Sequence, residues 1–141
     1  MKIKVITVGK IRSRPLQELA QDYFGRLSHY YPAEIVSVKD DGRAIQKLEG
    51  SDILVVLDER GQQKGSVELS EYLSSHSMRG TKNLVFFIGG EDGVGVEMKK
   101  RANITLSLSM MTLPHELAQV VLLEQLYRAC SILRGEPYHR K

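Results

Sequence analysis

The sequence is poor in cysteine and has no long uninterrupted hydrophobic run. Its single cysteine, Cys130, can form no intramolecular disulfide and no cysteine zinc cluster, which argues against a secreted, disulfide-built protein. No apolar run reaches the roughly 18 residues of a transmembrane helix. The apolar residues at 3–8 are interrupted by Lys4 and are too short for the hydrophobic region of a signal peptide. We therefore expect a cytoplasmic protein.

Several familiar catalytic motifs are also missing. The glycines of residues 89–95 fit neither the dinucleotide fingerprint nor the Walker pattern, and no Gly-x-Ser-x-Gly elbow is present. His115 and Glu116 begin like a zinc-protease helix, but Gln119 stands where the second histidine would be. No other cluster has metal-ligand spacing. The sequence therefore predicts no metal site and no hydrolase of the elbow type.

The charge of the chain is unevenly distributed. A chain of 141 residues is long enough for one hydrophobic core, and we expect residues 1–141 to form a single domain. The formal net charge is +3, yet residues 1–14 carry five bases and no acid, and residues 128–141 carry four bases and one acid. If the fold brings both ends to one surface, that surface would suit a polyanion such as RNA. The alternative is that both ends are simply solvated.

Strand and helix patterns alternate along the chain. Short β-branched or continuously apolar runs predict strands at residues 2–8, 34–38, 53–57, 84–88 and 104–109. Helical spacing, with Ser66 as an N-cap and proline at two helix starts, predicts helices at residues 15–27, 43–48, 66–76, 96–102 and 114–134. The segments left over are a polar loop at 58–65 and a flexible tail at 136–141. We expect an α/β fold with a mostly parallel sheet and helices on both faces.

Three loops follow the strands that end near Leu57, Ile88 and Ser109, and open α/β sheets bind ligands outside such carboxyl ends. The loop of residues 89–95 has four glycines, which suits either a tight turn or a ligand cradle. Residues 106–115 could offer backbone amides and an apolar slot to an aromatic base. The alternative, which composition alone favours, is a strand followed by a helix that Thr112 caps and Pro114 starts, with Met110 and Met111 as core filler.

The C-terminal segment combines an aromatic ring, a titratable ring and two cations in Tyr138, His139, Arg140 and Lys141. Such a set can stack on an unpaired base and bind phosphate. The alternative is an ordinary disordered terminus. His29 and His76 lie on predicted helix surfaces, and we expect no role for them in a site.

Three ordered motifs carry a family resemblance. They are residues 106–115 (LSLSMMTLPH), 124–129 (EQLYRA) and 137–139 (PYH), with further matches at 3–10, 57–61 and 87–93. The chain resembles the SPOUT-superfamily methyltransferases of RlmH type, which methylate N3 of a pseudouridine in 23S ribosomal RNA. The resemblance spans almost the whole chain.

The resemblance implies a C-terminal trefoil knot and a homodimer in which the partner's tail completes each site. It also implies S-adenosylmethionine as the cofactor and no metal. The cofactor contacts that it implies, largely through backbone, are Leu57, Gly89, Leu108, Ser109, Met110, Met111, Thr112 and Leu113. The residues implied to serve the RNA and the reacting base are Arg128, Tyr138, His139 and Arg140.

The implied chemistry needs a nucleophilic nitrogen held at near-attack distance, so positioning can supply much of the acceleration without a metal. The N3 of pseudouridine is a weakly acidic imide whose nucleophilic form is the anion. His139 could accept the proton, or Arg128 and Arg140 could stabilise charge on the flanking carbonyls while Tyr138 positions the base. We favour the second role. Because one small domain offers little grip on RNA, we expect activity on assembled ribosomes rather than short oligonucleotides.

Two departures from the family pattern stand out. Gln119 occupies a position where the family often has arginine, which would weaken an RNA contact, and the segment at 40–50 is shorter than usual. Two other functions stay open: a SPOUT enzyme acting on tRNA, and a non-catalytic factor that binds ribosomes or RNA.

Overall fold

The computed structural model describes residues 1–140, which form five strands and five helices. In chain order these are β1 Lys2–Val8, α1 Arg14–Leu27, β2 Ala33–Val38, α2 Asp41–Gln46, β3 Ile53–Gln63, α3 Ser66–Met78, β4 Asn83–Ile88, α4 Val96–Arg101, β5 Ile104–Ser107 and α5 His115–Leu133. The strands are all parallel and lie in the order β2-β1-β4-β3-β5. The expected α/β class and parallel sheet are confirmed.

The central strand β4 shows why helices cover both faces of the sheet. All six of its residues are buried. Leu84, Phe86 and Ile88 join a core formed with α1, α3 and α5, whereas Val85 and Phe87 join a second core formed with α2 and α4. Successive side chains of a strand point to opposite faces, so a continuously apolar strand must be covered on both. Each large apolar side chain buried in this way contributes about 1.5–3 kcal/mol relative to exposure.

The outer half of β3 differs from the sequence expectation. The polar loop predicted at residues 58–65 is wrong, because β3 continues to Gln63 and pairs with β5 again after a bulge between Leu57 and Gln62. Gly61 lies in this bulge, where a Cβ would be 2.7 Å from the carbonyl carbon of Thr105. Most side chains of residues 59–63 are exposed. The polar side chains of residues 59–63 therefore indicate that this part of β3 is exposed to solvent, and not that the strand has ended.

Several helix starts differ from the prediction for local hydrogen-bonding reasons. The N-cap of α3 is Gly65 rather than Ser66, and the Glu68 carboxylate accepts a 2.9 Å bond from the Gly65 N–H. α2 begins before the predicted residue 43, because the Asp40 side chain accepts a 2.8 Å bond from the Arg43 N–H. The helix of residues 114–134 has Pro114 as its N-cap and not as its first residue.

His76 is buried, so its predicted surface position is wrong. It is 6% exposed, its Nδ1 lies 2.9 Å from the Thr81 hydroxyl, and its ring packs edge-on against Tyr72. Burial lowers the pKa of His76, which favours the neutral ring. Its contacts are those of a structural residue at the end of α3, whereas His29 is exposed beyond α1.

Candidate active site

A cleft of about 760 Å³ lies at the carboxyl ends of β3, β4 and β5, where the sequence analysis expects a ligand. Its volume is within the range of small-molecule sites. The outer part of β3, the loop after β4 and the segment between β5 and α5 line it. Met110 is 77% exposed and lies outside the lining. The other predicted cofactor contacts all line the cleft, and they are Leu57, Gly89, Leu108, Ser109, Met111, Thr112 and Leu113.

The loop after β4 depends on glycine at its first position. Gly89 is buried, and a Cβ there would lie 2.8 Å from the carbonyl oxygen of Gly93 and 3.0 Å from its carbonyl carbon. Gly93 has a φ of +80°, and its N–H donates a 3.0 Å hydrogen bond to the carbonyl of Gly90. At Gly89 and Gly93, which have no side chains, the lining of the cleft is backbone.

Hydroxyl groups shape the loop after β5. Ser107 donates a 2.9 Å hydrogen bond to the carbonyl of Ser109, and the Ser109 hydroxyl accepts a 3.0 Å bond from the N–H of Met111. Thr112 donates a 2.5 Å bond to the carboxylate of Glu59 in β3. These bonds connect two of the three segments that line the cleft.

Acidic side chains outnumber basic ones in the cleft. Four carboxylates line it, those of Asp58, Glu59, Glu91 and Asp92. The cations are Arg60 and Lys99, so the formal charge is −2 with His115 neutral. A hydrogen bond from the Arg60 N–H lowers the pKa of Asp58, and so does the ion pair with Lys99 at 3.2 Å. Such a cleft favours a ligand that carries positive charge.

The C-terminal segment packs against its own chain, so the predicted flexible tail is wrong for the residues described. Tyr30, which follows α1, donates a 2.5 Å hydrogen bond to Glu136. This bond and burial raise the pKa of Tyr30 to about 12. Tyr138 donates a 2.7 Å bond to Glu124 of α5. Lys141, the last residue of the predicted cationic set, lies outside the described residues.

Three of the four residues implied to serve the RNA form one cluster with Glu124, in which Arg128 contacts the other two. Arg128 donates to the Glu124 carboxylate from Nη2 at 2.7 Å and from Nε at 3.1 Å. Its Nη1 lies 3.1 Å from Nδ1 of His139, and its guanidinium carbon lies 4.8 Å from the ring centre of Tyr138. Arg140, the fourth, follows as an exposed residue.

Tyr138 is held as a neutral phenol. Burial and the hydrogen bonds with Glu124 and Tyr23 raise the pKa of its hydroxyl. Its ring packs edge-on against Tyr127, with the ring centres 4.6 Å apart. Tyr138 therefore offers an aromatic surface and a protonated hydroxyl at neutral pH, not a phenolate.

The cleft and the C-terminal cluster are far apart within one chain. His115, at the start of α5, lines the cleft, whereas the cluster surrounds Arg128 in the same helix. That stretch of helix is about 20 Å long at about 1.5 Å per residue. Arg12 and Arg134 are separated in the same way, because Arg12 contacts Glu116 in the first turn of α5 and Arg134 lies past its end. Within one chain these two bases therefore lie at opposite ends of α5.

Sequence reasoning missed Glu59, His115 and Glu124 as members of these groups. His115 belongs to the segment 106–115 weighed as a ligand-binding loop, but it was weighed individually only as a metal ligand, and it lines the cleft. Glu124 had a readable signal, because it lies one helical turn before Arg128. Gln119, the departure from the family pattern, is 5% exposed, and its Nε2 has no hydrogen-bond partner within residues 1–140.

None of the helices within residues 1–140 has the length and apolar character of a membrane-spanning segment. No group of three or more His, Cys, Asp or Glu side chains is placed to hold a metal ion.

Comparisons with solved structures agree on the fold. The chain matches the SpoU methyltransferase AviRb from Streptomyces viridochromogenes, solved with the cofactor AdoMet, with a TM-score of 0.55 at 14% identity, covering 91% of this chain and 57% of that one. It also matches a probable methylase family protein from Haemophilus influenzae with a TM-score of 0.60 at 10% identity, covering 99% of this chain and 70% of that one.

Sequence comparisons are closer and span the chain. A protein named ribosomal RNA large subunit methyltransferase H from Koribacter versatilis is 44% identical over 144 residues, covering 99% of this chain and 98% of the relative. A protein of the same name from Trichlorobacter lovleyi is 40% identical over 152 residues, covering 99% of each. The family described as "Predicted SPOUT methyltransferase" matches residues 1–139. With its parallel sheet and its cleft at the strand ends, the chain belongs to the SPOUT methyltransferase family.

Proposed function

We propose that this chain transfers a methyl group from S-adenosylmethionine to N3 of a pseudouridine in 23S ribosomal RNA. It acts in the cytoplasm as a homodimer on assembled ribosomes, with residues 1–141 as one methyltransferase domain. The observation that carries the proposal is the cleft at the ends of β3, β4 and β5, lined by the three loops that the family motifs occupy. The names of the full-length relatives support large-subunit ribosomal RNA as the substrate.

The cleft fits the cofactor in shape and charge. Leu57, Leu108 and Leu113 give it apolar walls for an adenine ring, and the turn at Gly89 and Gly93 gives it backbone groups. Its excess of carboxylates suits a ligand that carries a sulfonium and an ammonium group. When bound, S-adenosylmethionine supplies a methyl group activated by its sulfonium.

The separation of cleft and tail supports a site shared between two subunits. Tyr138 and His139 contact Glu124 and Arg128 of α5. This part of the helix lies about 20 Å from the cleft of the same chain. In a two-fold symmetric dimer, each tail can serve the cleft of the other subunit with its local contacts intact. The basic residues of the tail would then join Arg12 and the other bases near the cleft of the partner.

The cluster around Glu124 supports electrostatic assistance to the reacting base. Loss of the N3 proton places negative charge on N3 and its two flanking carbonyl oxygens. Arg128 and Arg140 supply positive charge for those oxygens, and the neutral ring of Tyr138 supplies a stacking surface. Held in this way, the target nitrogen needs no metal to become reactive.

Incubation of the purified protein with ribosomes and methyl-labelled cofactor tests the proposal. We expect the label in one pseudouridine of 23S RNA, located by mass mapping. Label in tRNA would favour the tRNA enzyme, and absence of cofactor binding by calorimetry would favour the non-catalytic factor. Full activity on a short stem-loop would contradict dependence on the assembled ribosome.

Truncation before Tyr138 tests the role of the tail in the same assay. We expect methylation to be abolished while the affinity for the cofactor is largely kept. Equal loss of both would show that the tail is structural and would remove it from the proposed site.

A further inference from the structure

Glu124 accepts hydrogen bonds from three side chains around the C-terminal cluster. Its Oε2 accepts from Tyr138 and from Arg128, and its Oε1 accepts a 2.7 Å bond from Nε2 of Gln125. Gln125 in turn accepts a 2.6 Å bond from the hydroxyl of Ser66 in α3. The Glu124 and Arg128 side chains are 17% and 22% exposed. Glu124 therefore joins α3, α5 and the tail through mostly buried polar contacts.

The direction of the Arg128 hydrogen bonds determines which nitrogen of the neutral His139 ring carries the proton. Nε and Nη2 are committed to Glu124, which leaves Nη1 facing Nδ1 of His139 at 3.1 Å. A guanidinium donates hydrogen bonds and cannot accept them. Nδ1 must therefore be the acceptor, and the single proton of the neutral imidazole lies on Nε2.

The opposite tautomer is disfavoured by the same contact. With a proton on Nδ1 of His139, two hydrogen-bond donors, Nδ1 and Nη1 of Arg128, would face each other at 3.1 Å, and no hydrogen bond could form between them. The other charged or titratable groups near the ring are Glu124 behind Arg128, Tyr23 of α1 behind Tyr138, and the adjacent Arg140. Within residues 1–140, Nε2 of His139 makes no hydrogen bond and can face a ligand.

We propose that Glu124 and Arg128 are positioning residues that hold His139 as its Nε2–H tautomer, so that this ring donates a hydrogen bond to the target base instead of accepting its proton. The inference rests on the proposed function, and of the two roles that the residues alone leave open it opposes the one in which His139 accepts the proton. The N3–H bond of the base breaks with its electron pair kept on N3. The proton passes to a hydroxide ion of the solvent, which becomes water. His139 then stabilises the charge on a flanking carbonyl oxygen.

Nitrogen NMR of the histidine side chains in the full-length protein tests the tautomer without any catalysis. At neutral pH we expect the Nδ1 signal of His139 to be that of an unprotonated nitrogen and the Nε2 signal that of a protonated one. Arg128→Met should abolish this preference, Glu124→Gln should weaken it, and the exposed His29 should be unchanged in both. A proton on Nδ1 of His139 in the wild-type protein would overturn the proposal.

Single-turnover methylation of ribosomes tests the role of the ring. His139→Gln keeps an N–H donor and removes the base, so we expect its rate within about tenfold of wild type, whereas His139→Ala should lose about 10²–10³-fold. Glu124→Gln should lower the maximal single-turnover rate and leave unchanged the ribosome concentration that gives half of this rate and the cofactor Kd. Equal large losses in His139→Gln and His139→Ala would identify a general base and refute the inference.

The two proposals fail in distinguishable ways. If the wild-type protein labels no ribosomal RNA, the proposed function fails, while the NMR result still reports the tautomer. If the wild-type protein labels 23S RNA but His139→Gln is as inactive as His139→Ala, only the inference fails. Melting temperature and cofactor affinity, which neither His139 variant should change, confirm that each variant is folded.

Discussion

Thr112 donates a 2.5 Å hydrogen bond from its hydroxyl to the carboxylate of Glu59, which joins the loop after β5 to the outer part of β3. Both residues line the cleft, so the bond fixes the distance between two of its walls. Both are also exposed, and an exposed bond adds little to the stability of the whole fold. We expect its main effect to be the organisation of the proposed cofactor cleft before binding.

Replacement of Thr112 by valine should weaken cofactor binding. The variant keeps the shape of the side chain but loses the donor, and a net contribution of about 0.5–1.5 kcal/mol corresponds to an affinity about 2–12-fold lower. Calorimetry with S-adenosylmethionine measures the change. Thr112→Ser keeps the hydroxyl and is the matched control, expected to bind like wild type. Equal affinity in all three proteins would show that the bond does not organise the cleft.

Replacement of Gly89 by alanine should damage the cleft more severely. The new Cβ would lie 2.8 Å from the Gly93 carbonyl oxygen, and backbone cannot move aside as a flexible side chain can. We expect a destabilisation of about 1–3 kcal/mol in urea unfolding and a loss of cofactor affinity of at least tenfold. Gly50→Ala is the control, because no atom lies within 4 Å of its added Cβ. A Gly89→Ala protein that binds cofactor normally would contradict the close approach.

The sequence predicted those parts of the fold in which local pattern and burial agree. The strand predicted at 84–88 matches Asn83–Ile88, because a short, continuously apolar run is buried on both faces when it forms a strand between two layers of helices. The outer part of β3 escaped prediction because it is exposed and polar, although Gly61 in its bulge is enclosed by β5. Periodicity carries no information on how chain segments thread past one another, so the trefoil knot stays a prediction from family resemblance.

The candidate site was predictable to different extents in its two halves. Loops at the carboxyl ends of strands are sites by general rule, and this rule located the cleft that contains Gly89 and Thr112. The ordering of the tail was not predictable, because it depends on Tyr30 and Glu124, which lie far from Tyr138 in sequence. Local composition alone therefore predicted a flexible tail at residues 136–141.

The link between α1 and α5 should depend on pH. The N–H groups of Ser13 and Arg12 donate to the Glu116 carboxylate at 3.1 and 3.0 Å and lower its pKa, against the opposing effect of burial. A carboxylate whose folded pKa lies below the ordinary value of about 4.3 stabilises the fold above that value. This contribution disappears as the pH falls through the lowered pKa.

Urea unfolding of Glu116→Gln at several pH values measures this contribution. We expect the wild type to be more stable than the variant at neutral pH and the difference to shrink toward zero as the pH falls through the lowered pKa of Glu116. Glu71→Gln, which removes one exposed carboxylate from α3, is the control for loss of charge. A difference that does not vary with pH would show that the two N–H bonds do not depend on ionised Glu116.

Mixed dimers should reveal whether the cleft of one subunit uses the tail of the other. Gly89→Ala disables the cleft and leaves the tail intact, whereas His139→Ala disables the tail and leaves the cleft intact. If the site is shared, a dimer of one subunit of each kind has one complete site, formed by the normal cleft of the His139→Ala subunit and the normal tail of its partner.

Co-expression of the two variants in equal amounts provides the measurement. Random pairing makes about half of the dimers mixed, each with one working site of two, so ribosome methylation should reach about a quarter of the wild-type level. Each variant alone should show only its residual rate. If each cleft instead uses its own tail, every subunit carries one defect and the mixture gains nothing over the separate variants. The 20 Å of α5 between His115 and Arg128 makes the shared arrangement the one that leaves the tail contacts with Glu124 unbroken.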